Sequence, residues 1–221
     1  MDRIINITLD GPGGSGKTTI AKELAQKLSI AYLDTGAMYR GVAYYMLSLG
    51  VDVADEEGVL ANIDNCVLQV VNDNNVQKII VNDEDVTGLI RTQEISMAAS
   101  TVSKIKAVRL KLVDMQRKIA KTASCVIDGR DIGSFVLPDA EYKFYLTADV
   151  DVRAKRRYLE QKAKGMEVTL EQVKTEMIAR DEQDSQRAFA PLVVPTGAFV
   201  IDTSNMSIEE VLDLVMERIK K

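Results

Sequence analysis

The chain has 221 residues, enough for one globular domain with an insertion, and its 46% hydrophobic residues can fill a core. A net charge of -5 argues against general nucleic-acid binding, which needs a broad basic surface, and no apolar run approaches membrane-spanning length. Histidine is absent, which excludes histidine acid–base catalysis, Ser-His-Asp triads and histidine metal sites.

Ile4 to Leu9 reads as a buried strand, followed by a glycine loop and a helical pattern from Lys17 to Leu28. Ala31-Tyr32-Leu33 is short and extended, and a helix then runs through Leu49. Asp52 to Gly58 reads as a loop and a fresh helix start. Cys66 to Val71 and Val76 to Val81 are β-rich runs joined by the turn-forming Asn72-Asp73-Asn74-Asn75, and Asp83-Glu84-Asp85 leads toward a third short strand. Helical periodicity covers Thr92 to about Ala120. Strands are expected at Ser124 to Ile127, Tyr142 to Leu146 and Phe199 to Ile201, and helices at Val150 to Lys164, Leu170 to Arg187 and Ile208 to Ile219. Strands alternating with helices predict a mainly parallel α/β sheet, on which the hairpin is an insertion. Cys66 and Cys125 sit in apolar stretches and read as buried, reduced thiols. With no signal-peptide pattern at Ile4 to Leu9, the cytoplasm is the expected location.

Gly11-Pro12-Gly13-Gly14-Ser15-Gly16-Lys17-Thr18, followed by Thr19, fits G-x-x-x-x-G-K-[ST]. Glycines let successive amides face phosphates, and the helix beginning near Lys17 adds its positive end. Lys17 suits β- and γ-phosphates, and the Thr18 hydroxyl suits magnesium. A chance match in such a chain is on the order of one per cent, so a bare glycine turn is the weaker reading. The loop alone does not separate a kinase from a GTPase switch or an ATPase motor. A guanine-reading Asn-Lys-x-Asp is missing, which weakens the GTPase idea.

Further cations are scattered along the chain. In Asp34-Thr35-Gly36-Ala37-Met38-Tyr39-Arg40, Thr35 can cap a helix that carries Arg40, either for a phosphate or for solvent. Asp128-Gly129-Arg130-Asp131 ends a strand, where ligands sit in open α/β sheets. Asp128 there is either a magnesium carboxylate, direct or through water, or ordinary Asp-Gly turn chemistry. Arg180, Asp184 and Arg187 share one helical face, a spacing that a solvated charge ladder also explains. Arg153, Lys155, Arg156 and Arg157 cluster at the start of a helix, where positive charge opposes the dipole and hints at a visiting anion. A phosphate-monoester acceptor needs no general base, so positioning and charge cancellation are enough for a histidine-free phosphotransferase.

Taken together, the phosphate loop, Leu33-Asp34-Thr35-Gly36-Ala37-Met38-Tyr39-Arg40, Ile90-Arg91-Thr92-Gln93-Glu94, Asp128-Gly129-Arg130-Asp131-Ile132-Gly133, Ala179-Arg180-Asp181 and Ala190-Pro191-Leu192 resemble bacterial cytidylate kinase over essentially the whole chain. The resemblance implies a P-loop NTPase fold: a parallel central sheet flanked by helices, with a small β insertion and a helical lid. It implies a core over 1–34, 91–148 and 167–221, a CMP-binding region over 35–90 and a lid over 149–166. It implies ATP and Mg2+, with CMP or dCMP as acceptor, the donor being held by residues 11–19, Arg153, Arg156 and Arg157. The acceptor phosphate would fall to Arg40, Arg130 and Arg187, the sugar to Arg180 and Asp184, and the base to Ser100, Arg109 and Asp131, with Thr35 and Tyr39 lining the pocket. Lys17, Arg130, Arg157 and Asp128 would serve the transfer itself. Thr35 stands where serine is also familiar and keeps the hydroxyl. A monomer is the simplest expectation. A P-loop kinase for UMP or a non-nucleotide metabolite, and a nucleotide-binding switch without transfer chemistry, are the alternatives.

Overall fold

A computed structural model describes residues 3–73 and 76–220. In chain order the elements are β1 (Asn6–Asp10), α1 (Lys17–Leu28), β2 (Ala31–Asp34), α2 (Thr35–Ser48), α3 (Glu56–Asn62), β3 (Leu68–Asp73), β4 (Val76–Val81), β5 (Glu84–Asp85), α4 (Gln93–Val102), α5 (Lys106–Thr122), β6 (Cys125–Asp128), β7 (Tyr142–Thr147), α6 (Val150–Ala163), α7 (Leu170–Ser185), β8 (Phe199–Asp202) and α8 (Ile208–Ile219). They form two compact units, Met1–Ile30 with Cys125–Lys221, and Ala31–Ser124. Among the described residues no helix is long and apolar enough to cross a membrane.

The first unit is a parallel α/β layer in which strands run β6-β1-β7-β8. Ile7 lies opposite Val126 on one side and Tyr142 on the other. β6 is buried throughout and β1 is buried from Ile7 onward, the continuous apolar pattern of parallel strands covered on both faces. β8 buries only Ile201, as an outer strand does. Helix α1 packs on β6 and against α8, and α6 packs against α7 through Ala154, Val173 and Met177. Capping boxes open α7 (Thr169 with Gln172) and α8 (Ser207 with Glu210). Leu9 pairs with Asp128, so β1 and β6 end side by side and deliver their loops to one sheet edge.

In the second unit α2 packs on α4 and on the antiparallel sheet β3-β4-β5. The anticipated hairpin is present, but Asn72 and Asp73 still belong to β3, paired with Gln77 and Val76. Asn74 and Asn75 lie outside the described residues. Both cysteines are buried and free.

Four further details depart from the sequence reading. The helix expected over Thr92 to Ala120 is two helices. Ser103 bonds its hydroxyl to the Ser100 carbonyl, and Ile105 is extended, which ends one helix before the next begins. Thr35 is not the cap of α2: Asp34 is, accepting from the Ala37 amide at 2.8 Å, because its carboxylate precedes the first helical residue. α7 stops at Ser185, whose hydroxyl turns back to the Asp181 carbonyl, so Arg187 lies beyond the helix and not on its face. Helix α6 is capped by Asp149 and carries Asp151 in its first turn. Its arginines therefore sit a turn or more inside, where the dipole argument has lost its force.

Candidate active site

The phosphate loop runs from the end of β1 to the start of α1. Gly11 has φ 139°, and a Cβ there would fall 2.0 Å from the Leu146 carbonyl oxygen, so this position admits only glycine. Inside the loop the Ser15 hydroxyl donates to the Pro12 carbonyl at 3.0 Å. Lys17, 5% exposed, donates to the same carbonyl at 2.6 Å and to Ser15 Oγ at 3.3 Å. Burial, and next the Arg130 charge, hold the Lys17 ammonium well below the ordinary lysine range, while Asp128, Asp10 and Asp184 pull it back up. A desolvated cation so placed gains most when a polyanion arrives. The Thr18 hydroxyl donates to Asp128 Oδ2 at 2.8 Å, bringing the two expected magnesium residues together.

Across the sheet edge, Arg130 donates through Nε to Asp184 Oδ2 at 2.9 Å and through Nη1 to the Gly129 carbonyl at 3.2 Å. Arg187 reaches the same carboxylate, with Nη1 3.9 Å from Oδ1, and its Nε donates to the Asp184 main-chain oxygen at 3.2 Å. Burial would raise the Asp184 carboxyl, but Arg130, then Arg187 and Arg180, overcome it and hold the group below its usual value. Asp184 is thus the hub of three arginines, of which the sequence placed Arg180 and Arg187 on its helical face and Arg130 on a separate strand end. Asp131, buried and next in the chain to Arg130, opens a single π turn over Ile132–Val136, its main-chain carbonyl accepting from the Phe135 and Val136 amides at 2.9 and 3.1 Å. Such turns are rare and concentrate at functional sites.

The α6 arginines divide. Arg153 is buried and reaches three places: Nε donates to the Ala148 carbonyl at 2.8 Å, and Nη1 to the Gly13 carbonyl at 3.1 Å and to Asp181 Oδ2 at 2.6 Å. Arg156 donates to the Thr203 hydroxyl at 3.0 Å and its carbonyl at 2.6 Å, and that hydroxyl donates to the Ser15 carbonyl at 3.1 Å. These residues open a cavity of about 330 Å³ lined by Gly16, Thr19, Ile20, Met206, Ile208 and Val211 among others. Arg157 pairs with Glu160 on its own helix at 2.9 Å. Thr203 and Met206 border this cavity although nothing local to them in the sequence signals a ligand.

In the second unit, Arg40 Nη2 donates to Asp34 Oδ2 at 2.8 Å, and Arg91 Nη1 stands 3.6 Å from the same oxygen. Gln77 clamps the Asp34 backbone, accepting from its amide at 2.6 Å and donating to its carbonyl at 3.1 Å. The buried Arg40 Nε meets no hydrogen-bond acceptor among the described residues, a donor available to an incoming anion. Arg109, 1% exposed, lies 5.4 Å over the Tyr39 ring and donates to the Ser103 carbonyl at 3.2 Å. Thr35 is buried, and Ser100, on α4, is half-buried.

Among solved structures, the chain resembles a shikimate kinase from Bacteroides thetaiotaomicron at TM-score 0.51 and 15% identity, covering 99% of this chain and 100% of that one. An uncharacterized protein from Eubacterium ventriosum matches at TM-score 0.58 and 16% identity, covering 98% and 99%. Both likenesses are of fold. By sequence, the chain is 49% identical to a cytidylate kinase of Clostridioides difficile, over 96% of this chain and 97% of that one, and 44% identical to a cytidylate kinase of Halalkalibacterium halodurans, over 98% of each. The cytidylate kinase family model matches residues 7–221. On the loop, its converging cations and these matches, the chain belongs to the cytidylate kinase family.

Proposed function

We propose that the protein transfers the γ-phosphoryl group of ATP to CMP or dCMP, giving ADP and CDP or dCDP. The observation that carries this reading is the convergence of Lys17, Arg130 and the Asp184-anchored Arg187 on one sheet edge beside a glycine loop, in a chain of net charge -5. Such a concentration of cations suits the approach of two mutually repelling polyanions.

On the donor side, Gly11 to Thr19 cradle the phosphates, and the cavity bordered by Arg156, Thr203 and Met206 takes the nucleoside end of ATP. Arg153 braces the loop from behind through the Gly13 carbonyl. Arg157, midway along the 149–166 lid, exchanges Glu160 for a donor phosphate. The Thr18 hydroxyl and Asp128 carboxylate are hard oxygen donors that fit Mg2+, which when bound supplies charge neutralisation on the phosphate oxygens.

On the acceptor side, Arg40, Arg130 and Arg187 hold the monophosphate, and Arg180 and Asp184 hold the sugar. Ser100, Arg109 and Asp131 read the base, with Thr35 and Tyr39 lining the pocket. Cytosine offers an amino donor where uracil offers an oxygen, so a carboxylate at Asp131 favours cytosine and leaves buried groups unpaired against uracil. An oxygen of the CMP phosphate attacks the γ-phosphorus in line, the bond to the β-bridging oxygen breaks, and ADP departs. That oxygen is already ionised near neutrality, so no base is required. Lys17 and the arginines hold the equatorial charge. The division into core, CMP-binding region (35–90) and lid belongs to the same proposal.

ADP production measured with CMP, dCMP, UMP and AMP at matched concentrations tests it. CMP and dCMP should be turned over well, UMP poorly and AMP hardly at all. ATP hydrolysis indifferent to all four would point instead to a nucleotide-binding switch.

A further inference from the structure

Asp10 ends β1 immediately before the phosphate loop and has no solvent exposure at all. Its Oδ1 accepts from the Ile132 amide and its Oδ2 from the Gly133 amide, each at 2.7 Å. Those two amides open the π turn directly after Arg130 and Asp131. The turn lies flush on the sheet: a Cβ at Gly133 would come 2.8 Å from Thr8 Oγ1 and 3.1 Å from both Lys143 Cδ and Pro195 Cγ. One carboxylate therefore ties the segment bearing Arg130 and Asp131 to the strand that delivers the phosphate loop.

A buried carboxylate is an expensive way to fasten a turn, because removing its charge from water disfavours ionisation. Burial pushes Asp10 from 3.8 to about 6, with the neighbouring Asp131 charge adding to the rise, while the two amides and Lys17 oppose it. A neutral side chain would avoid that charge cost, although Asn or Ser would leave one of the two buried amides without an acceptor. An acid at this position fits a site requirement, since costly local arrangements gather where function needs a fixed geometry.

We propose that Asp10 is a positioning residue of the acceptor site, holding Arg130 and Asp131 in register with the phosphate loop through the Ile132 and Gly133 amides. The inference rests on the assignment of Arg130 and Asp131 to the acceptor. The carboxylate touches neither nucleotide and acts only through the turn. Misplacement by about an ångström costs up to about a hundredfold in rate, so a substitution that spares the fold should still be visible in kinetics.

The test compares the parent protein with Asp10→Asn and Asp10→Ser by steady-state kinetics with CMP, UMP and ATP, alongside thermal unfolding at pH 7.5. Asn keeps the volume but turns an amide donor toward one of the two main-chain donors, and Ser can accept from only one of them. The expected result is a KM for CMP raised about tenfold or more and a narrowed preference for CMP over UMP. The KM for ATP should move by less than about threefold, and both variants should stay folded with a melting temperature lower by no more than a few degrees. Equal changes for both nucleotides, unchanged kinetics, or loss of folded protein in both variants would make Asp10 a structural residue only. Asp131→Ala, measured beside them, separates the two ideas. If that variant keeps its CMP preference, Asp131 does not read the base, and the role of Asp10 is then decided by the CMP KM alone, through Arg130.

Discussion

Arg153 Nη1 lies 2.6 Å from Asp181 Oδ2, and the same nitrogen donates to the Gly13 carbonyl, so one ion pair fastens α6 and α7 to the outside of the phosphate loop. The guanidinium is only 8% exposed and its partner 23%. Asp181→Ala strands that cation, and a stranded buried charge costs more than the intact pair contributes. Because Asp181 is partly solvated, the expected loss is about 2–3 kcal/mol, at the low end for such pairs. Thermal unfolding should show a melting temperature lower by roughly 5–10 °C, together with a raised KM for ATP. A weakened fold with an unaltered ATP KM would confine the pair to stability.

Asp184 joins Arg130 to Arg187, and its removal should act on the acceptor more than on the donor. Asp184→Ala frees Arg130 Nε and changes the aim of both arginines. The expected outcome is a kcat/KM for CMP lowered by about a hundredfold, the order seen when an oriented catalytic group is lost. Arg130 and Asp184 share a hydrogen bond, so their two single substitutions should not add: a double-mutant cycle should give a coupling of about 1 kcal/mol or more. Strict additivity would mean that the 2.9 Å contact does not carry the effect.

The phosphate loop was legible in the sequence because its geometry is local: eight consecutive residues between a strand and a helix specify both its bend and its charge. Elements bounded by β-branched runs or clear caps, such as β6, α1 and α8, fell within about a residue of their expected limits. The Asp184 hub was only half visible. Its spacing to Arg180 suggested a ladder, whereas its bond to Arg130 spans 54 positions and depends on how β6 and α7 meet. Asp10 gives no signal in the sequence, since a polar residue beside a glycine run looks like loop chemistry until the sheet buries it. The break at Ser103 was hidden because its apolar flanks keep helical spacing while its hydroxyl competes for the backbone.

Thr18 and Asp128 are 2.8 Å apart, and each should matter in proportion to the metal. Thr18→Val keeps the shape and removes the hydroxyl, and Asp128→Asn keeps the shape and removes the charge. Both variants should need more Mg2+ for half-maximal rate, and Asp128→Asn should lower kcat by about a hundredfold. Titration of activity against Mg2+ at fixed ATP checks this. A magnesium requirement identical to that of the parent protein in both variants would remove these side chains from the metal site.

The pH dependence of stability should separate two buried carboxylates by sign. Asp184 is held below its ordinary value by Arg130, Arg187 and Arg180 against the opposing effect of burial, so its contribution is present above the unfolded value and fades as pH falls through the lower folded one. Asp10 is raised from 3.8 to about 6, chiefly by burial. The native state therefore keeps this proton longer than the unfolded chain does. The associated stability is full below pH 3.8 and is lost as pH rises through about 6. The two values differ by about two pH units, or ~3 kcal/mol. Asp131 and Lys17 face the same carboxylate with opposite charges and tune the midpoint. Asp10→Asn cannot titrate, so the unfolding free energy of the parent protein minus that of the variant should fall by about that amount between pH 4 and 7, and then level off. Denaturant unfolding at a series of pH values reads this difference directly. A difference that stays flat across the window, or rises through it, would mean that the Asp10 carboxyl is not held protonated by its burial.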